Sequence, residues 1–268
     1  MQIIICEDAN SVALEAAQWI TSLIQQRPNA VLGLATGSTV LPLYEQLTKY
    51  HQENKLSFKG VTTFNLDEYH QIHETNPQSY RSFMNAQLFD HIDIDIGNTH
   101  LPTCTDQQNP REQGLAYELA IEHAGGIDLQ ILGIGANGHI GFNEPGSSLA
   151  SRTRIKTLTQ QTLKDNSRLF NKGEVQPTMA MTMGIQTIMD ARYVLLMATG
   201  ANKAKAVNEM ITGAVSANCP ATMLQMHENA VVIIDNDAAS ELSEQNYFKW
   251  TAEKNRLLIE EFGYFHKL

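Results

Sequence analysis

The stretch ILGIGANGHIGFNEPGSS, Ile131 to Ser148, decides how the rest of the chain reads. It continues a run starting at Asp128, breaks into Gly133, Gly135 and Gly138, and at once presents His139. Glu144 follows, locked before Pro145. A largely apolar run ending in glycines predicts a buried parallel strand, Asp128–Leu132, whose carboxyl end opens onto a loop. In open α/β sheets, ligands bind at that end. A histidine and a carboxylate placed there form a candidate acid/base pair, because their surroundings can tune both to exchange protons near neutral pH. The plainer alternative is a glycine-rich turn with a surface histidine. It leaves unexplained why glycines, titratable groups and a strand end coincide.

Outward from this point, β-rich runs alternate with helical patterns. Strands are expected at Gln2–Cys6, Ala30–Ala35, Val61–Leu66, Tyr193–Ala198 and Ala230–Ile234. Helices are expected at Ser11–Gln26, Val40–Tyr50, Tyr80–His91, Arg111–Ala124 and Lys203–Ile211, with a closing helix within Ser240–Phe262. In the first helix Ala13, Ala17, Ile20 and Ile24 recur on one face. Such alternation predicts a doubly wound, mostly parallel sheet with helices on both faces, a Rossmann-like three-layer α/β fold. With no repeat and no linker, residues 1–268 are read as one domain. The least regular region, Glu144 to about Gln176, suggests a lid, with residues 151–183 as the lid segment. Met179, Met181 and Met183 are read as packing.

The 268 residues are 43% hydrophobic and 18% charged, values that exclude a disordered chain. The net charge is −10 with no Lys/Arg run, which argues against nucleic acid or an anionic membrane as partner. An anionic substrate must then be met by a few local cations and by backbone N–H groups. Three scattered cysteines, Cys6, Cys104 and Cys219, fit neither a disulfide framework nor a zinc site. No signal peptide or spanning segment is apparent, so a cytoplasmic protein is expected. The nine histidines show no metal-ligand spacing, and no metal is expected. No Gly-x-Ser-x-Gly elbow suggests serine chemistry.

Three further turns carry chemistry-bearing residues. Ala35-Thr36-Gly37-Ser38-Thr39, between a strand and a helix, offers a glycine, hydroxyls and free helix N–H groups, a combination that suits a phosphate. It lacks the Lys of a Walker A loop, and capping by Ser38 or Thr39 is the plainer alternative. In Phe64-Asn65-Leu66-Asp67-Glu68-Tyr69 the adjacent carboxylates point opposite ways if extended, so only one is expected to face the site. Arg168, in the lid, and Lys203, at a further strand-to-helix turn, are candidate cations for the anion.

Taken together, Thr36-Gly-Ser-Thr39, Phe64-Asn-Leu-Asp-Glu-Tyr69, the run from Leu132 to Pro145 and Ser151-Arg-Thr-Arg-Ile-Lys-Thr-Leu158 closely resemble the glucosamine-6-phosphate deaminases, in order and over essentially the whole chain. The Gly-His-Ile-x-Phe-Asn-Glu-Pro portion is specific. The related 6-phosphogluconolactonases share the Gly-His but typically continue Thr-Ala-Ser-Leu-Phe-Pro. The resemblance implies isomerisation and hydrolytic deamination of glucosamine 6-phosphate to fructose 6-phosphate and ammonia, without cofactor, in amino sugar (N-acetylglucosamine) catabolism. By motif match, Asp67 is the base that moves a proton between C2 and C1. His139 opens the pyranose ring with help from Glu144, and Thr36, Gly37, Ser38, Arg168 and Lys203 bind the phosphate.

Many members carry aspartate where this chain has Asn137. Asparagine accepts a hydrogen bond from an imidazole N–H but brings no charge; in a serine-protease triad the same exchange fixes the wrong tautomer and costs about four orders of magnitude. Activity is still expected, with Glu144 as the charged partner. Arg154, Lys156 and Thr157, with Ser147 and Tyr247, match positions of an activator site between subunits in hexameric relatives, where N-acetylglucosamine 6-phosphate binds; a solvated edge strand is the alternative. A homo-oligomer, a hexamer in particular, is therefore expected. The rival functions are a 6-phosphogluconolactonase-like hydrolase and a sugar-phosphate-sensing effector domain.

Overall fold

In the computed structural model, residues 1–105, 107–166, 170 and 176–264 are described. The amino-terminal half alternates β1 (Gln2–Cys6), α1 (Ala9–Gln26), β2 (Val31–Leu34), α2 (Leu41–Gln52), β3 (Thr62–Asn65), β4 (Asp67–Tyr69), α3 (Tyr80–Gln87), β5 (Thr99–His100), α4 (Pro110–His123) and β6 (Leu129–Leu132). Then follow β7 (Arg154–Thr157), α5 (Gln160–Asn166), β8 (Met179–Thr182), α6 (Ile185–Met189), β9 (Tyr193–Ala198), α7 (Ala204–Thr212), β10 (Ala230–Asp235) and α8 (Gln245–Phe262).

Seven strands form one parallel sheet in the order β1-β10-β9-β6-β2-β3-β5. All six residues of β9 and all six of β10 are buried. Burial on both faces requires helices on both sides, and explains why these strands read as unbroken apolar runs rather than alternating ones. The expected fold class is therefore the observed one, a single doubly wound α/β domain. Helix α1 starts where the Asp8 side chain accepts the Ser11 N–H at 2.8 Å. It buries Val12, Ala13, Ala16, Ala17, Ile20, Leu23 and Ile24 on one face, the four residues anticipated from periodicity among them.

Two features depart from the expected layout. The segment anticipated as one strand, Val61–Leu66, ends at Asn65, and after a bend at Leu66 the chain enters a second, three-stranded antiparallel sheet, β4-β8-β7. Its strands are three or four residues long, too short to show a period. The expected helix Tyr80–His91 is α-helical only to Gln87, with a 3-10 turn over Phe89–His91. Segment 151–183 holds β7, α5 and β8, and in β8 Ala180, Met181 and Thr182 are fully buried. Met181 and Met183 pack in the interior as anticipated; Met179 is only partly buried.

At the opposite rim a buried carboxylate ties three segments together. Asp128 accepts from Arg27 at 2.7 Å, from Arg192 at 3.0 Å and from the Val31 N–H at 2.9 Å. These contacts join the starts of β2, β6 and β9, and so set the register of the strands whose other ends build the site.

Candidate active site

The order of the strands creates a crevice. From β2 the chain steps outward to β3 and β5, then returns to the other side of β2 as β6 and continues through β9 to β10. The switch point thus lies between β2 and β6, and because all these strands are parallel, their carboxyl ends share one rim. Onto that rim emerge the turn at Thr36 from β2, Asp67 after β3, the histidine loop from β6, and the turn before Lys203 from β9. Four adjacent strands, β3-β2-β6-β9, supply four of the anticipated groups.

The Thr36 turn is built to leave backbone exposed to a ligand. Gly37 has φ 108, and a Cβ there would meet no atom within 4 Å. Ser38–Val40 form a 3-10 turn leading into α2, and neither Ser38 nor Thr39 caps a helix with its side chain. Their hydroxyls are thus not consumed by the capping role weighed above. Below the turn, the buried Tyr44 hydroxyl donates to the Ala35 carbonyl at 2.5 Å, holding the strand end in place.

Lys203 reaches the same place from β9. Its Nζ donates to the carbonyl of Ile134, between Gly133 and Gly135, at 2.7 Å. The turn that carries it is fixed by Asp235 at the end of β10, whose two oxygens accept the Gly200 N–H at 3.0 and 2.9 Å. Asp235 was not anticipated; its only sequence signal is a carboxylate closing an apolar strand. Arg168 lies outside the described residues.

Gly133, Gly135 and Gly138 have the spacing of a dinucleotide fingerprint, yet no helix follows them. The Gly138 N–H returns to the Gly135 carbonyl at 2.9 Å, and the Gly135 N–H takes the His139 carbonyl at 2.9 Å. The loop therefore folds back on itself and lays the imidazole against Gly135. A Cβ at residue 135 would sit 2.2 Å from the ring.

The polar cluster behind His139 is tightly connected. Its Nδ1 lies 2.7 Å from Asn137 Oδ1 and 3.3 Å from Glu144 Oε2. The Asn137 amide donates to Glu144 Oε2 at 2.9 Å. Glu144 is 4% exposed. Burial alone would raise its carboxyl, but hydrogen bonding and charge from His139, with the bonds from Thr162 and Asn137, bring it down to about 2. Glu144 is thus the ionised partner that Asn137 cannot be.

Asp67 and Glu68 behave as strand alternation requires. Glu68 turns toward α3, where Oε1 accepts the N–H groups of Tyr69 (2.8 Å) and Tyr80 (3.0 Å) and Oε2 that of Arg81 (3.0 Å). Asp67 turns the other way, toward Gly141, two residues past His139. It is 7% exposed, and burial, with the charge of Glu68 beside it, pushes its carboxyl from 3.8 up to about 8. A carboxylate poised near neutrality beside the histidine loop is suited to taking and returning a proton.

The remaining anticipated residues are more dispersed. Arg154, Lys156 and Thr157 lie on β7, the outer strand of the small sheet, as the edge-strand alternative had it. Ser147 is buried and, among the described residues, its hydroxyl has no hydrogen-bond partner. Tyr247 is exposed on α8, which packs on β1 at the far edge of the large sheet. A cavity of about 630 Å³ lies at the opposite rim, between α4 and α6, lined by Leu115, Leu119, Ile127 and Arg152 among others; none of the acid/base groups reaches it.

Fold and site thus define a doubly wound α/β protein with a cluster of histidine and carboxylates and a glycine-hydroxyl turn at its switch point. The chain belongs to the family of glucosamine-6-phosphate isomerases and 6-phosphogluconolactonases, whose model matches residues 7–233. It is 63% identical to the glucosamine-6-phosphate deaminase of Colwellia psychrerythraea (strain 34H / ATCC BAA-681) over 99% of both chains. It is 60% identical to that of Pseudoalteromonas translucida (strain TAC 125) over the full length of both. Among solved structures, a monomeric glucosamine-6-phosphate deaminase superposes with a TM-score of 0.86 at 41% identity, over 90% of this chain and 99% of that one. The 6-phosphogluconolactonase of Leishmania guyanensis shares the fold, with a TM-score of 0.69 at 19% identity over 90% of this chain and 98% of that one. Among the described residues no helix is long and apolar enough to cross a membrane.

Proposed function

We propose that the chain is a glucosamine-6-phosphate deaminase that converts glucosamine 6-phosphate and water to fructose 6-phosphate and ammonia, in amino sugar catabolism in the cytoplasm. The observation that carries this reading is the second acid/base group. Opening a lactone ester needs one base to activate water, whereas an aldose–ketose shift needs another to carry a proton between neighbouring carbons. Asp67 supplies it, buried, raised toward neutrality and turned to the histidine loop. The names of the deaminase relatives point the same way.

In this reading the phosphate rests on the N–H groups and hydroxyls of Thr36, Gly37 and Ser38, with Lys203 and Arg168 supplying charge. His139 takes the proton of the anomeric hydroxyl and returns one to the ring oxygen as the pyranose opens. Asp67 then removes the C2 proton and delivers it to C1, while a proton of the amino group passes to O1, leaving a hydroxymethyl at C1 and an imine at C2. Addition of water to that carbon expels ammonia and leaves the ketose. An effector domain that only senses the sugar would need no such proton relay.

The remaining expectations belong to the same proposal. Segment 151–183 serves as the lid. Arg154 and Lys156, two apart on β7 and so on one face, bind the phosphate of the activator N-acetylglucosamine 6-phosphate with Thr157, Ser147 and a neighbouring subunit's Tyr247, in a homo-oligomer, with the hexamer the favoured form. Because the solved relative is described as monomeric, light scattering in solution is the direct check on assembly.

The function is tested by a coupled ammonia assay with glucosamine 6-phosphate, beside hydrolysis of 6-phosphogluconolactone. Ammonia release that disappears in Asp67→Asn supports the proposal. Lactone hydrolysis without ammonia release would replace it with the lactonase reading.

A further inference from the structure

The Glu144 carboxylate is gripped from two sides, and only one of them belongs to the histidine loop. Oε2 meets Asn137 and His139. Oε1 accepts the hydroxyl of Thr162, a buried residue of α5, and lies 3.2 Å from the hydroxyl of Thr159, just before that helix. The two hydroxyl oxygens are 3.0 Å apart, and Thr159 Oγ1 also accepts the Thr162 N–H at 3.2 Å. Each hydroxyl has one proton to give. If Thr162 spends its proton on Glu144, that of Thr159 is left for Thr162 or for the same carboxylate oxygen, and both point inward along one chain.

We infer that Thr159 and Thr162 are positioning residues that, through Glu144 and Asn137, fix which nitrogen of His139 carries the proton. The inference rests on the proposed role of His139 in ring opening. An ionised carboxylate only accepts hydrogen bonds, so it takes the NH₂ side of the Asn137 amide. That leaves Oδ1 facing the ring, and an amide oxygen also only accepts. Nδ1 must therefore carry the proton, and Nε2 keeps the lone pair that acts on substrate. A Glu144 carboxylate that turns away from the amide weakens the constraint: Asn137 can then turn end for end, giving up the His139 N–H that Oδ1 accepts at 3.2 Å, and its NH₂ can face Nδ1. The ring proton would move to Nε2.

An aspartate at position 137 would accept from Nδ1 either way round. The asparagine of this chain makes the tautomer depend on where the Glu144 carboxylate is held, and hence on the two hydroxyls at Oε1. Among the described residues the titratable group facing Glu144 is His139, from its own loop; α5 presents hydroxyls to it, and Lys164, farther along that helix, is exposed. Helix capping does not account for the arrangement. Capping uses the oxygen of Thr159 and the N–H of Thr162, and leaves the Thr162 hydroxyl without a task.

The experiment uses the full chain with ¹³C-labelled glutamate and ¹⁵N-labelled histidine, read by NMR without substrate, beside the pH dependence of kcat/KM for ammonia release. Thr162→Val keeps the capping N–H and removes only the hydroxyl. It is expected to raise the Glu144 titration by about one pH unit, which from about 2 still leaves the group ionised at neutral pH, and to populate the Nε2–H form of His139 because the carboxylate can now turn. It should also lower kcat/KM about tenfold at neutral pH. Thr162→Ser should restore all of these. Thr159→Asn, which retains a capping oxygen but has no hydroxyl, should move the tautomer the same way, so the test survives a folding failure of the first variant. In an Asn137→Asp background the Thr162→Val penalty should shrink. An unchanged Glu144 titration and His139 tautomer in folded Thr162→Val would overturn the inference while leaving the deaminase reading intact. The expected NMR changes in a protein that releases no ammonia would do the reverse.

Discussion

Thr182 stands directly across from Asp67 in the antiparallel pairing of β4 with β8, and its hydroxyl accepts the Phe142 N–H at 3.1 Å. One residue of the small sheet therefore touches both halves of the site, the strand that carries the carboxylate and the loop that carries the histidine. The small sheet thus links the strand that carries Asp67 to the loop that carries His139.

The first prediction follows from the burial of Asp67. Its carboxyl is raised from 3.8 to about 8, so between these values the folded protein holds a proton that the unfolded chain has lost. Stability then falls as pH rises through that window, by up to ~1.4 kcal/mol per pH unit. Asp67→Asn should match the wild type near pH 4, melt higher than it above pH 8, and release no ammonia. Wild-type kcat/KM should climb with pH toward about 8, as the base loses its proton. Thermal melts and rate profiles across that range check both statements.

Gly135→Ala should disable the site while sparing the fold. The added methyl would lie 2.2 Å from the His139 ring, so the imidazole must be displaced. A displacement on the order of 1 Å is enough for a loss of about 100-fold in kcat. Circular dichroism unchanged from the wild type, beside the kinetics, separates this outcome from unfolding.

Lys203→Ala should act on binding. Losing a charge-assisted bond to a phosphate corresponds to a rise in KM of about tenfold to a hundredfold. Inhibition by inorganic phosphate should weaken in parallel. An unchanged KM would remove Lys203 from the anion site.

Asp128→Ala should do the opposite, lowering stability without touching chemistry. Asp128 is buried, and it anchors Arg27, Arg192 and the Val31 N–H. Both arginines are half-exposed and can return to water, so the loss should be about 2–3 kcal/mol, read by urea unfolding, with kcat at the wild-type level.

The large sheet was legible because its strands are buried on both faces and its helices are amphipathic. Ala13, Ala17, Ile20 and Ile24 announce α1, and the apolar run ending at Gly133 announces β6. Once the parallel order is known, the convergence of Thr36, Asp67, His139 and Lys203 follows from connectivity. The small sheet was not legible, since β4, β7 and β8 have three or four residues each and draw their stability from one another. Thr159, Thr162, Thr182 and Asp235 were missed for a related reason. Each matters through a partner 15 to 40 residues away, and no local pattern marks such a pair. Glu68 was legible as the carboxylate turned from the site, though not as the acceptor for the start of α3.

The central claim is that the turn at Thr36, Asp67 and His139 serve one hexose phosphate. A crystal structure with the open-chain amino alditol 6-phosphate, which lacks the carbonyl and cannot react, tests it most directly. The phosphate should rest on Thr36, Gly37 and Ser38, with C1 and C2 within about 3–3.5 Å of the Asp67 carboxylate and His139 on the oxygen side of the chain. A phosphate bound elsewhere, or an Asp67 carboxylate out of reach of C2 while the phosphate sits on the turn, would contradict it.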